Sequence, residues 1–128
     1  MTISDFEDKL ARFNAQGWPY KFVLALDFDK TLCDSHFPEC GVETPICDFI
    51  RSIQHLDYIQ TLYTCRTGKA LEDAILWCKD HNIRIDYTNE NDPVRIAMYG
   101  ECRKISYDIL IDDRCYNFNI NDFGKEGM

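Results

Sequence analysis

Asp27 and Asp29 stand one residue apart, directly after the apolar run Phe22-Val23-Leu24-Ala25-Leu26 and just before Lys30-Thr31. Carboxylates delivered by the end of a buried strand lose hydration at a cost of several kcal/mol each, unless a cation or donors compensate. A divalent metal ion is the simplest compensator. On an extended chain, residues two apart share a face, so both carboxylates can point into one cavity while Phe28 turns to the core. A second apolar stretch, Asp108-Ile109-Leu110-Ile111, ends in another acidic pair, Asp112-Asp113. Together these acids form an oxygen-only donor set of the kind Mg2+ takes, with neither histidine nor thiolate. Thr64 adds a hydroxyl after a third apolar stretch, and Gly68 allows a tight turn whose N–H groups can face an anion. Lys104 offers a compact ammonium that can neutralise an incoming phosphate and the crowded acids.

These residues lie far apart in the chain, so the elements that carry them must bring them together. Apolar spacing predicts an N-terminal helix within residues 1–17, opened by a Ser4-x-x-Glu7 capping box. A buried strand over Lys21–Leu26 follows, and then an irregular flap over residues 33–43. Thr44 and Pro45 open a helix with Ile46, Phe49, Ile50 and Ile53 on one face, and Tyr58–Tyr63 is the next strand. A helix from Gly68 to about His81, a more exposed strand at Ile83–Tyr87 and a short helix within Val94–Tyr99 complete the pattern before Asp108–Ile111. Strands alternating with helices predict one α/β domain over residues 1–128, Rossmann-like and three-layered, with a mainly parallel sheet, helices on both faces and a short flap instead of a full cap. In such sheets ligands bind beyond the carboxyl ends of the strands. That rule gathers Asp27, Asp29, Thr64, Arg66, Asp112 and Asp113 at one rim.

Composition narrows the partners. A length of 128 residues suits one domain, and 45% hydrophobic with 28% charged residues is a globular balance without a stretch that could span a bilayer. The first eight residues carry acids where a signal peptide carries basic residues, so the N-terminus is expected to stay on the mature chain. Seven cysteines with no Cys-x-x-Cys pair argue against zinc and against a disulfide framework, and for buried thiols in a reducing cytoplasm. A net charge of −8 argues against an extended nucleic-acid groove while leaving room for a small phosphorylated ligand held by a local cation. Trp18, Tyr20 and the N-terminal helix are the candidates for a contact between copies of the chain.

The series Asp27-x-Asp29-x-Thr31, Thr64, Lys104 and Asp112-Asp113 resembles, in order and spacing, the four motifs of the haloacid dehalogenase superfamily of phosphotransferases. Phe37-Pro38-Glu39 with Gly41, Thr64-Cys65-Arg66, Asn89-Glu90-Asn91 and Ile111-Asp112-Asp113-Arg114 resemble a small, essentially capless branch of phosphatases from bacteria and their phages. The match spans roughly Lys21 to Arg114. The resemblance implies a phosphatase in which Asp27 attacks phosphorus to form an aspartyl-phosphate, while Asp29 serves as acid and then base. It implies Mg2+ held by Asp27, the backbone carbonyl of Asp29 and Asp112. Thr64 and Lys104 would hold the non-transferred oxygens, and Asp113 would order metal waters or orient Lys104. The implied substrate is a small phosphorylated metabolite, a nucleotide or a terminal phosphate.

Several readings stay open on the sequence alone. Arg66 either bridges to Asp112 or Asp113 or grips the substrate. Lys30 occupies a turn position where many relatives carry glycine, which restricts the backbone there. His36, alone on the flap, reads as solvent-exposed. The main competitor is a receiver-like phosphoacceptor signalling domain, although that fold closes its first strand with the paired acids and accepts phosphate on a later one. A phosphate-binding module with weakened turnover is a further alternative, and Lys30 is the hint for it.

Overall fold

The computed structural model describes residues 1–124. Its elements are α1 (Ile3–Ala15), β1 (Val23–Leu26), β2 (Cys33–His36), β3 (Glu39–Glu43), α2 (Ile46–Ile53), β4 (Ile59–Leu62), α3 (Gly68–Asp80), β5 (Tyr87–Thr88), α4 (Pro93–Tyr99) and β6 (Ile109–Ile111). A single 3-10 turn follows at Ile120–Asp122. Strands β5-β4-β1-β6 form one parallel sheet with β1 inside it, flanked by helices in the three-layer, Rossmann-like arrangement expected.

Period-two alternation along β1 decides which layer each residue serves. Leu24 and Leu26, with Phe22 and Phe28 on either side, join the main core beside Phe6 and Leu10 of α1, Phe49, Ile50 and Ile53 of α2, and Ala74, Trp77 and Cys78 of α3. Val23 and Ala25 are equally buried and turn to the opposite face. Phe6 anchors the first layer, with edge-on contacts to Phe22, Phe49 and Tyr58 at ring separations of 5.0–6.5 Å. A fully buried side chain of this kind contributes about 1.5–3 kcal/mol, so this one ring does much to fix α1 on the sheet.

The flap differs from expectation: residues 33–43 are an antiparallel hairpin of β2 and β3, with a register shift between Asp34 and His36. Its inward residues are the small Cys33 and Ser35, while Asp34 and His36 point out, so the strand alternation is present but too polar to read as apolar periodicity. Gly41 is required where the two strands meet, because a Cβ there would lie 2.1 Å from the carbonyl oxygen of Asp34.

The expected strand at Ile83–Tyr87 shrinks to Tyr87–Thr88. Side chains take over part of the ladder: Gln60 N donates to Asp86 Oδ2 at 2.8 Å and Gln60 Nε2 to the Arg84 carbonyl at 2.6 Å. The α1 capping box is built from Thr2 and Asp5 rather than Ser4 and Glu7. Starting the helix there lets Phe6 and Leu10 fall on its buried face. Thr44 still serves α2, accepting from the Ile46 N–H and donating to the Thr31 carbonyl, a bond that ties the helix start to the aspartate loop. Among the described residues no helix is long and apolar enough to cross a membrane.

Candidate active site

Parallel pairing places the three loop-bearing strand ends side by side. Leu26 pairs with both Leu62 and Ile111; Asp27 N donates to the Ile111 carbonyl at 2.9 Å, and Tyr63 N to that of Leu26 at 2.7 Å. Asp27, Thr64 and Asp112 therefore leave the sheet at one rim, as strand order required.

One half of the rim is a carboxylate trio. Ligand oxygens of Asp27, Asp112 and Asp113 all lie within 4.8 Å of one another, and each side chain is half-buried. Thr31 ties the trio together: its hydroxyl donates to Asp27 Oδ2 at 3.0 Å, lies 3.3 Å from Asp113 Oδ1, and accepts from the Asp113 N–H at 2.9 Å. Burial pushes the Asp27 carboxyl up to about 7, helped by a hydrogen bond with Asp113 and by the charge of Asp112, against the opposing pull of Thr31. Carboxylates this close raise one another's affinity for protons.

The other half has the reverse balance. Asp29 receives a two-pronged bond from Arg66, Nη2 to Oδ1 at 2.7 Å and Nε to Oδ2 at 3.0 Å, and a third from Ser35 Oγ at 2.5 Å. Burial opposes ionisation of Asp29, but the Arg66 and Ser35 bonds outweigh it and hold the carboxyl below its ordinary range. Arg66 is itself buried, with the Pro38 and Ala70 carbonyls accepting from Nη1 and its guanidinium lying between the Phe28 and Phe37 rings at 4.9 and 5.1 Å. Of the two roles open to it, Arg66 takes a bridging one, and its partner is Asp29 with the flap rather than Asp112 or Asp113. The Asp29 carboxylate is thus outside the trio, while Asp113 joins it directly.

Thr64 sits at the rim, buried, with its hydroxyl accepting from the Arg66 N–H at 3.1 Å. Asn89 fixes it from the neighbouring loop by a reciprocal pair, Thr64 N to Asn89 Oδ1 at 2.8 Å and Asn89 Nδ2 to the Thr64 carbonyl at 2.9 Å. Lys104 is exposed, and its contacts are made by its carbonyl, which accepts from Asn91 Nδ2 at 3.2 Å. It borders a surface cleft with Tyr99, Cys102, Ile105, Ser106 and Tyr107, a lining that includes no rim carboxylate. The structure therefore brings Asp27, Asp29, Thr64, Arg66, Asp112 and Asp113 together, while the exposed Lys104 makes no side-chain hydrogen bond or ion pair with them.

Lys30 adopts φ +64°, the left-handed region that favours glycine, and its ammonium turns to Asp34 at 2.7 Å in an exposed pair. His36 is exposed, as expected. Sequence reasoning passed over three supporting residues, Thr31, Ser35 and Asn89. Thr31 and Asn89 were present in the motifs, but their hydrogen-bond roles depend on loops that meet only in the fold.

No family model and no curated protein matches the chain. Among solved structures it is similar to a conserved protein coded by a locus of Bacteroides thetaiotaomicron, with a TM-score of 0.65 and 29% sequence identity, over 74% of this chain and 78% of that one. The likeness supports the three-layer α/β fold.

Proposed function

We propose that this protein is a Mg2+-dependent phosphomonoester hydrolase that works through an aspartyl-phosphate on Asp27. The observation that carries the reading is the carboxylate trio at the strand ends, whose members crowd within 4.8 Å; burial, with the contribution of Asp113 and Asp112, pushes the Asp27 carboxyl up to about 7. Its donors are oxygens alone, which fits Mg2+ rather than a softer metal. Asp27, Asp112 and Asp113, with the Asp29 carbonyl, would hold the ion, which when bound supplies the charge that lets a phosphoryl group approach an aspartate.

The chain's own residues supply the rest. Asp27 Oδ1, the oxygen not engaged by Thr31, bonds to phosphorus as the phosphorus–oxygen bond to the leaving group breaks. Asp29 gives a proton to that leaving oxygen and then takes one from the water that hydrolyses the acyl phosphate. Arg66 keeps Asp29 ionised at rest, so the first proton reaches it from solvent as it slackens its hold on Arg66, and the proton it then takes from water serves the next turnover. The Thr64 hydroxyl, free to donate because it accepts from Arg66 N–H, turns to a phosphoryl oxygen. Small phosphorylated metabolites, nucleotides or terminal phosphates suit a site covered, among the described residues, by the short β2–β3 hairpin. Seven free cysteines, three of them exposed, support a cytoplasmic setting.

A second reading has one observation in its favour. Because Asp29 is committed to Arg66 and Ser35, phosphorylation of Asp27 could outlast a catalytic cycle, as in a phosphoacceptor signalling domain. Hydrolysis of a panel of phosphate esters with Mg2+ separates the two, using the parent, Asp27→Asn and Asp29→Asn. Turnover in the parent and its loss in both variants is the expected result. A parent that turns over no ester, yet stays phosphorylated on Asp27, belongs to the second reading.

A further inference from the structure

Helix α4 is inside out. Its one charged residue, Arg95, is buried, while Pro93, Val94, Ala97, Met98 and Tyr99 face outward. Arg95 is held inside by Asp108 at 2.8 Å, Ser106 at 2.6 Å and the Lys21 carbonyl at 2.9 Å, with its guanidinium 4.2 Å from the centre of the Tyr20 ring. This network fixes the rotation of the helix, so the outward apolar face is set by the fold and not by a side-chain choice. The face continues beyond the helix: Tyr99 meets Tyr20 edge-on at 6.0 Å, and Tyr20 stacks on Trp18 at 5.7 Å and 10°.

We infer that this face is a two-fold contact between two copies of the chain. Area favours that occupant, and the absence of exposed charge on α4 lets two acidic copies meet there. Val94, Met98, Tyr99 and Trp18 are 47%, 45%, 62% and 49% exposed. With Pro93, Ala97 and Tyr20 this amounts to on the order of 500 Å2 per copy, so about 1,000 Å2 for a symmetric pair, the lower bound for a specific interface. Val94 and Met98 stand four residues apart and form a row that can pack antiparallel against its own copy, as an isologous contact requires. Each chain carries a net charge of −8, so copies repel over most of their surface, and α4 exposes no charge where they would meet. A nucleic acid or an acidic partner would need exposed cations on this face, and the arginine that could serve is turned inward.

The charge argument gives the association a signature. Salt screens the repulsion between two acidic copies and leaves apolar contact intact, so the dimer tightens as NaCl rises, whereas contact with a basic partner would weaken. Sedimentation of the full chain from micromolar to near-millimolar concentration, at low and high NaCl, tests it. The expected result is a monomer–dimer equilibrium that salt strengthens, with the dissociation constant raised at least about tenfold in Val94→Glu/Met98→Glu, and the unfolding midpoint unchanged because both positions are exposed. Ala97→Arg, on the same face, serves as the second variant and gives the same loss. A parent that stays monomeric throughout overturns the inference, and so does a dimer that survives both variants or that salt dissociates.

Discussion

Asp27 and Asp29 are two residues apart on one strand end, yet their surroundings have opposite electrostatic balance. Around Asp27 there are two further carboxylates and a hydroxyl, and burial together with those carboxylates drives its carboxyl up to about 7. Around Asp29 there are a buried guanidinium and a serine hydroxyl, and its carboxyl is held low. The first half lacks positive charge and the second already has it. The proposed Mg2+ site lies on the crowded side of this contrast, and the compensated side needs no added charge.

The contrast is broken or sharpened by substitutions on either side. The largest effect is expected on turnover: Asp27→Asn removes the proposed nucleophile and should lower phosphate-ester hydrolysis by about 10³-fold or more, measured as kcat/KM at saturating Mg2+. On stability the two aspartates should diverge in sign. Asp29→Asn leaves the Arg66 guanidinium buried without its counter-charge and costs about 2–3 kcal/mol in urea unfolding, less than for a fully buried pair because Asp29 is one-third exposed and the carbonyl bonds of Arg66 remain. Asp27→Asn, measured without metal above neutral pH, stabilises instead, since it relieves the repulsion.

The pH dependence follows from the same balance. An unfolded Asp27 loses its proton near its ordinary value of 3.8, while the folded one keeps it until about 7. Across that window the unfolded chain is the more deprotonated state, so the contribution of Asp27 is full below it and is lost as pH rises through it. Thermal unfolding of the metal-free protein should show a loss between pH 4 and pH 7 that is shallower in Asp27→Asn. Mg2+ added above neutral pH should restore the parent and not the variant. The smallest effect is at Lys30. Lys30→Gly relieves a left-handed backbone worth about 1 kcal/mol and gives up an exposed ion pair worth less, for a net gain of about 0.5 kcal/mol in the unfolding midpoint series.

The deficient half of the rim was legible in the sequence because strand ends are announced by apolar runs, and Asp27, Asp112 and Asp113 follow such runs directly. The compensated half was not. Arg66 was visible as a candidate, but its partner depends on how the β2–β3 hairpin folds over the sheet, and that hairpin is built from Cys33, Asp34, Ser35 and His36, which carry no apolar period. Ser35 has no local signal for bonding Asp29 six residues earlier. Lys104 matched by order along the chain, yet order does not fix where a residue falls in a loop, and Asn91 anchors this loop through the Lys104 carbonyl and the Ser106 N–H, leaving the ammonium in solvent. The inverted α4 escaped the same way. The short helix within Val94–Tyr99 was legible, but its rotation was not, because the contacts that turn Arg95 inward come from Lys21, Ser106 and Asp108, outside the helix.

The central claim, that Asp27 is the nucleophile in a cation-dependent site, is tested most directly by rapid acid quench of the protein turning over an aryl phosphate, followed by peptide mass spectrometry. The expected result is one phosphoryl group on the Asp27 peptide, labile to hydroxylamine, dependent on Mg2+, absent from Asp27→Asn and longer-lived in Asp29→Asn. Turnover with no phosphoryl group on Asp27, or with the group on another residue, would contradict it.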